Sequence, residues 1–148
     1  MLKRTWPLMI LLASLIATFP AAGRPLAPPQ QSPQLDFSIV GGGLNIAKGP
    51  LSPGTKLSGS AAIKRVGKLG GTKLDILLQP GAKVIGSVSV PAAPAGTKQL
   101  KFVATIPKNL KPGTYNVQLS IDPKNLIKES NEKNNTYDIP QSLTIVTP

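Results

Sequence analysis

The chain contains neither cysteine nor histidine. Without cysteine there is no disulfide, no thiolate nucleophile and no thiolate metal ligand. Without histidine the commonest general base and the commonest transition-metal ligand are gone, so a Ser-His-Asp triad and a zinc site are both excluded. Aromatic residues supply only 4% of the 148 positions, and acidic residues number 6 against 17 lysines and arginines. The acid-base inventory is therefore Asp36, Asp75, Asp122, Glu129, Glu132 and Asp138. Long apolar runs are equally scarce. The clearest, Leu8 to Thr18, is broken only by Ser14 and is about half the roughly twenty residues a bilayer-spanning helix needs.

That run follows Lys3 and Arg4 and precedes Ala21 and Gly23, the charge, hydropathy and small-residue pattern of an export signal cleaved before Arg24. Residues 1–23 are accordingly read as a signal peptide, and the mature chain as secreted or periplasmic with no membrane span. The signal ends without the cysteine that a lipid anchor requires. Loss of Lys3 and Arg4 leaves 15 basic against 6 acidic side chains, a net charge of +9. Such an excess favours anionic partners, although scattered lysines also serve solubility. Residues 24–34, RPLAPPQQSPQ, have little to bury and read as an extended Pro-rich linker.

From residue 35 to 148 short apolar alternations are separated by Gly, Pro and Asn. Tyr115, Val117, Leu119 and Ile121 alternate with polar residues at period two, as do Leu100, Phe102, Ala104 and Ile106. These two runs are expected to hold the centre of the core, and the turn Pro107 to Gly113 between them suggests an antiparallel pair. Further inward-facing sets are Phe37 and Ile39; Leu57, Ala61 and Ile63; Leu74, Ile76 and Leu78; Val84, Val88 and Val90; and Tyr137, Ile139, Leu143 and Ile145. Pro140 lacks an N–H donor, so the last strand should bulge there or lie on an edge. Seven strands without crossover helices point to an all-β, immunoglobulin-like antiparallel β-sandwich.

Nucleic-acid recognition would need exposed aromatics, yet Phe37, Phe102, Tyr115 and Tyr137 all sit at core-facing parity, so no sequence-specific nucleic-acid partner is expected. The densest polar segment is Ile121 to Asn135, IDPKNLIKESNEKNN. It lies in a turn expected to be exposed, and it offers two chemistries. Glu129 and Glu132 form the one close carboxylate pair, which a carboxylate-dependent hydrolase would use. Asp122, Glu129 and Glu132 could give oxygens to calcium, although the spacing is not an EF-hand loop and Lys124, Lys128 and Lys133 oppose a cation. The simpler reading is that Asp and Asn side chains bond nearby backbone N–H groups and shape a long hairpin loop.

The segment GTYNVQLSIDPKNLIKESNEKNN, Gly113 to Asn135, resembles the hallmark of CARDB, the cell-adhesion-related domain found in bacteria: a tyrosine-bearing strand ending in Asp, then E-x-N-E-x-N-N. The resemblance runs in looser register from about Leu35 to Val146. It departs where the family's second strand has Asn and then Gly, here Arg65 and Gly67. It implies a seven-stranded sandwich with a role in adhesion or binding and names no ligand. The expectation is thus a noncatalytic extracytoplasmic module whose loops or strand edge contact a protein or an anionic surface polymer. The alternatives are the Glu129/Glu132 hydrolase and a structural subunit that self-assembles through the strand edges Leu35 to Val40 or Thr136 to Ile145.

Overall fold

The computed structural model describes residues 34–46, 49–68 and 70–147. The expected export signal, and the linker up to residue 33, lie outside the described residues. The period-two segments form seven strands: β1 (Asp36–Asn45), β2 (Lys56–Val66), β3 (Thr72–Gln79), β4 (Lys83–Val90), β5 (Gly96–Thr105), β6 (Gly113–Ile121) and β7 (Thr136–Ile145). They build two antiparallel sheets, β1-β2-β5 and β4-β3-β6-β7. The fold is a β-sandwich, as the patterning implies. Among the described residues the helical content is one 3₁₀ turn, Glu132–Asn134, and no helix is long and apolar enough to cross a membrane.

The core lies between the sheets. Phe37, Leu57, Ala61, Ile63 and Phe102 from the first sheet meet Leu74, Ile76, Leu78, Val117, Leu119 and Ile121 from the second, all essentially without solvent exposure. Each buried Leu, Ile or Phe stabilises by about 1.5–3 kcal/mol relative to exposure. Glycine makes room where the largest side chain enters. A Cβ on Gly59 would stand 2.4 Å from the Phe102 ring, so that strand position has to be bare.

Four expectations are refined by the structure. β5 and β6 are not paired: β5 bonds to β2, whereas β6 bonds to β3 and β7. The Pro107–Gly113 turn crosses from one sheet to the other, and the Tyr115 hydroxyl ties it down by donating to the Lys111 carbonyl at 3.0 Å, the corner bond of immunoglobulin-like sandwiches. Val84 does not face the core. The β3–β4 register slips between Ile76 and Leu77, and this bulge turns Ile85 inwards while leaving Val84 52% exposed. Leu100 and Tyr115 are only partly buried and flank the core rather than forming its centre. At Pro140 the β6–β7 register shifts between Asn116 and Val117, and β7 is an edge strand, so both allowances for that proline apply.

Arg65 stands on β2 where the resemblance noted from the sequence departs. It is 4% exposed, stacks over the Phe37 ring at 5.8 Å from the centroid, and reaches the Pro91 carbonyl at 3.5 Å. Its Nε has no partner among the described residues.

Candidate functional site

The loop from Asp122 to Asn135 joins β6 to β7 on the second sheet and packs against β1 of the first. Its chain enters through Asp122, whose φ of 45° is in the left-handed region where Asp and Asn are tolerated best. Asp122 donates its N–H to the Lys73 carbonyl (3.0 Å) and accepts Asn125 N–H on its own carbonyl (2.8 Å). Its carboxylate accepts from the Thr72 hydroxyl at 2.9 Å and from Ile127 N–H at 2.8 Å. One carboxylate oxygen therefore serves the turn and the other ties it to the start of β3.

The second half of the loop closes the free edge of β1. Ser130 N–H donates to the Leu35 carbonyl at 2.8 Å. Glu129 accepts the Phe37 N–H and, at 3.0 Å, the Asn135 amide. Asp36 accepts from Asn131 N–H (3.2 Å) and the Asn134 amide (2.9 Å). Hydrogen bonds to a charged acceptor contribute about 1.5–3 kcal/mol each, so this set is a strong tie between the loop and the first strand. The expectation that the whole turn is exposed is corrected here: Asp122 and Glu129 are 4% and 9% exposed, because each is drawn inwards by backbone N–H donors that would otherwise be unsatisfied.

Glu129 and Glu132 are brought close. Glu132 accepts Glu129 N–H at 2.9 Å, and the Asn135 amide also approaches Glu132 at 3.4 Å. With its nitrogen turned towards the carboxylate, the Asn125 amide donates to both Glu132 oxygens (3.1 and 2.8 Å). Burial lifts the Glu129 carboxyl above its ordinary value; the Phe37 and Asn135 donors pull it back, and Glu132 and Asp36 push it up again. Among the described residues the pair lines none of the larger grooves. Shallow grooves of about 510, 400 and 580 Å³ are lined by other residues. Among the described residues no three carboxylates converge as a metal ion requires. Two buried amide oxygens, on Asn134 and Asn135, lack a donor.

The lysines are distributed differently from the acids. Every described lysine is exposed, whereas Asp122 and Glu129 are buried and Asp36 and Asp75 half-buried. The surface is therefore more cationic than the residue count alone implies. Lys64 and Lys101 lie on the outer face of the first sheet, Lys73 on that of the second, and Lys83 at the start of β4, so these four do not form one cluster. The role of Asp36 was not legible from sequence, since its partners lie 95 and 98 residues away.

The sequence matches the CARDB family over residues 35–139. The chain belongs to the CARDB family. Solved CARDB domains share its fold. A crystal structure of such a domain from Pyrococcus furiosus, in complex with di-metal ions, is 20% identical with a TM-score of 0.52 and covers 76% of this chain and 90% of that one. The solution structure of that domain is 18% identical, TM-score 0.50, covering 78% and 98%. A domain of a protein assigned to the cell surface of Methanosarcina acetivorans is 19% identical, TM-score 0.51, covering 77% and 92%. No curated protein sequence matches the chain. CARDB is a non-catalytic, adhesion-related family, and in this member the hallmark E-x-N-E-x-N-N holds β1 to the β6–β7 loop.

Proposed function

We propose that this chain is a noncatalytic extracytoplasmic binding module whose ligand is an anionic polymer of a cell surface. The observation that carries it is the separation of charge: all described lysines stand in solvent while four of the six acids are wholly or partly withdrawn. A surface of that kind holds polyanions without a deep pocket. The polar loop is a poorer contact surface, because its carboxylates and amides are engaged with β1 and with each other. Retention of the purified chain on an immobilised anionic wall polymer, beside a neutral polysaccharide, tests the reading. Retention on the anionic polymer alone at low salt, falling at physiological salt where the Debye length is about 8 Å, is expected. Equal retention on both polymers, or on neither, refutes it.

A second reading is an oxygen-ligated cation at the loop, using Asp122, Glu129 and Glu132. The unpartnered oxygens of Asn134 and Asn135 favour it, being neutral donors that calcium accepts, and the di-metal complex of the Pyrococcus domain lends support. Against it, the Asp122 oxygens are already bonded to Thr72 and Ile127. Self-assembly through β1 or β7 is disfavoured by similar contacts. The loop bonds to Leu35 and Phe37, and Leu51 pairs with the end of β7 through Leu51 N–H to the Thr144 carbonyl and Val146 N–H to the Leu51 carbonyl (2.8 and 3.0 Å).

A further inference from the structure

The two sandwich faces differ in charge. On the outer face of β4-β3-β6-β7, Asp75 and Asp138 alternate with core residues of β3 and β7 and bond to Ser87 and Gln118. The groove of about 510 Å³ there is lined by both signs, Lys73 and Lys124 with Asp75 and Asp122. The outer face of β1-β2-β5 is of one sign. Along β2 the outward positions are Lys56, Ser58, Ser60, Ala62, Lys64 and Val66, and Lys101 is the register partner of Ser60 on β5. Among the described residues the only carboxylate at that parity is Asp36, at the extreme end of β1, where the loop's amides bond it.

Across this face runs the groove of about 580 Å³, walled by Lys101 and Val103 and floored by Gly43, Asn45, Ser58 and Ser60. Val103 is 60% exposed. The floor offers hydroxyl and amide groups, the wall gives one apolar pad, and the three lysines place positive charge along and beside it. Resting on the functional reading above, we infer that the outer face of β1-β2-β5 is the binding surface, and that its ligand is an acidic polysaccharide laid along the groove. Hydroxyl and amide groups on a shallow floor match the hydroxyls of a sugar chain, the exposed valine matches its C–H faces, and the lysines match its carboxylates or sulfates. A polyphosphate would meet the charge but leave the valine and the hydroxyl-bearing floor unused.

The experiment compares two charge-matched triple variants of the full chain, expressed with its N-terminal segment intact. One is Lys56→Glu/Lys64→Glu/Lys101→Glu on this face; the other is Lys73→Glu/Lys83→Glu/Lys124→Glu elsewhere. All six side chains are exposed, and melting curves verify that each variant is folded. Affinity is measured at low salt for polygalacturonate, polyphosphate, poly-glutamate and neutral dextran. The expected result is a loss of at least about tenfold for polygalacturonate in the first variant, a change within about twofold in the second, and weaker wild-type binding of polyphosphate and poly-glutamate. Equal loss in both variants overturns the assignment of the face while leaving the functional reading intact. Wild-type preference for polyphosphate or poly-glutamate overturns the polysaccharide. Absence of wild-type binding to any of the polyanions removes the functional reading itself, and this inference with it.

Discussion

Leu119 sits in the second half of β6 with no solvent exposure, and its Cδ1 lies 2.8 Å from where a Cβ on Gly42 would stand. Leu119→Ala should therefore cost about 2–5 kcal/mol, the range for a large-to-small change in a packed core. At roughly 4 °C per kcal/mol for a domain of this size, the melting temperature should fall by about 8–20 °C. Gly42→Ala should also destabilise, by about 1–3 kcal/mol, because the new methyl meets Leu119 and approaches the Ser60 carbonyl at 3.3 Å. The two changes are coupled through one volume. In the double variant the Gly42→Ala methyl enters space that the Leu119→Ala change has vacated, so the combined loss should be smaller than the sum by about 1–2 kcal/mol. Urea or thermal denaturation of the four proteins, followed by circular dichroism, closes the cycle. Strict additivity, or a double variant worse than the sum, refutes the packing of β6 against β1. Wild-type stability in Leu119→Ala alone refutes the parity of β6.

The raised pKa of Glu129 carries a sign. Its folded value lies above the ordinary 4.5, so the folded chain takes up the proton first as pH falls. The contribution of Glu129 to stability therefore increases as pH drops through the raised folded pKa, is complete below the ordinary value, and is lost again as pH rises. The stability difference between wild type and Glu129→Gln should shift towards wild type between about pH 7 and about pH 4, and a constant difference refutes the shift. Millimolar calcium should leave the melting temperature nearly unchanged, since a ligand stabilises only the state that binds it. A rise of several degrees, abolished in Asp122→Ala, would make the loop a cation site.

Legibility from the sequence was uneven, for physical reasons. Where a strand is regular, side-chain period and strand period coincide, so Val117, Leu119 and Ile121 could be assigned to the core directly. Where a bulge intervenes the period is broken by backbone geometry that local composition does not encode, and Val84 and Ile85 exchange roles. Strand pairing failed for β5 and β6 because chain adjacency suggests a hairpin, whereas the sandwich requires a crossing between sheets. The hallmark segment was visible as composition. Its partners were not, since the first strand that receives it lies more than 90 residues away.

The burial of Glu129 and Asp122 also bears on where function resides. A carboxylate that accepts a strand N–H, as Glu129 does from Phe37, cannot change partner without exposing that strand to water. Ligand binding through Glu129 would therefore oppose the tie that holds β1, and affinity would be reduced by the free energy of releasing it. The lysines of the β1-β2-β5 face carry no such penalty: their heads stand in solvent and the sheet beneath them is fixed by its own ladder. A ligand on that face gains its contacts without remodelling the fold. The segment richest in polar side chains is thus committed to architecture, and the plainer surface, with serine, glycine and lysine, remains free to bind.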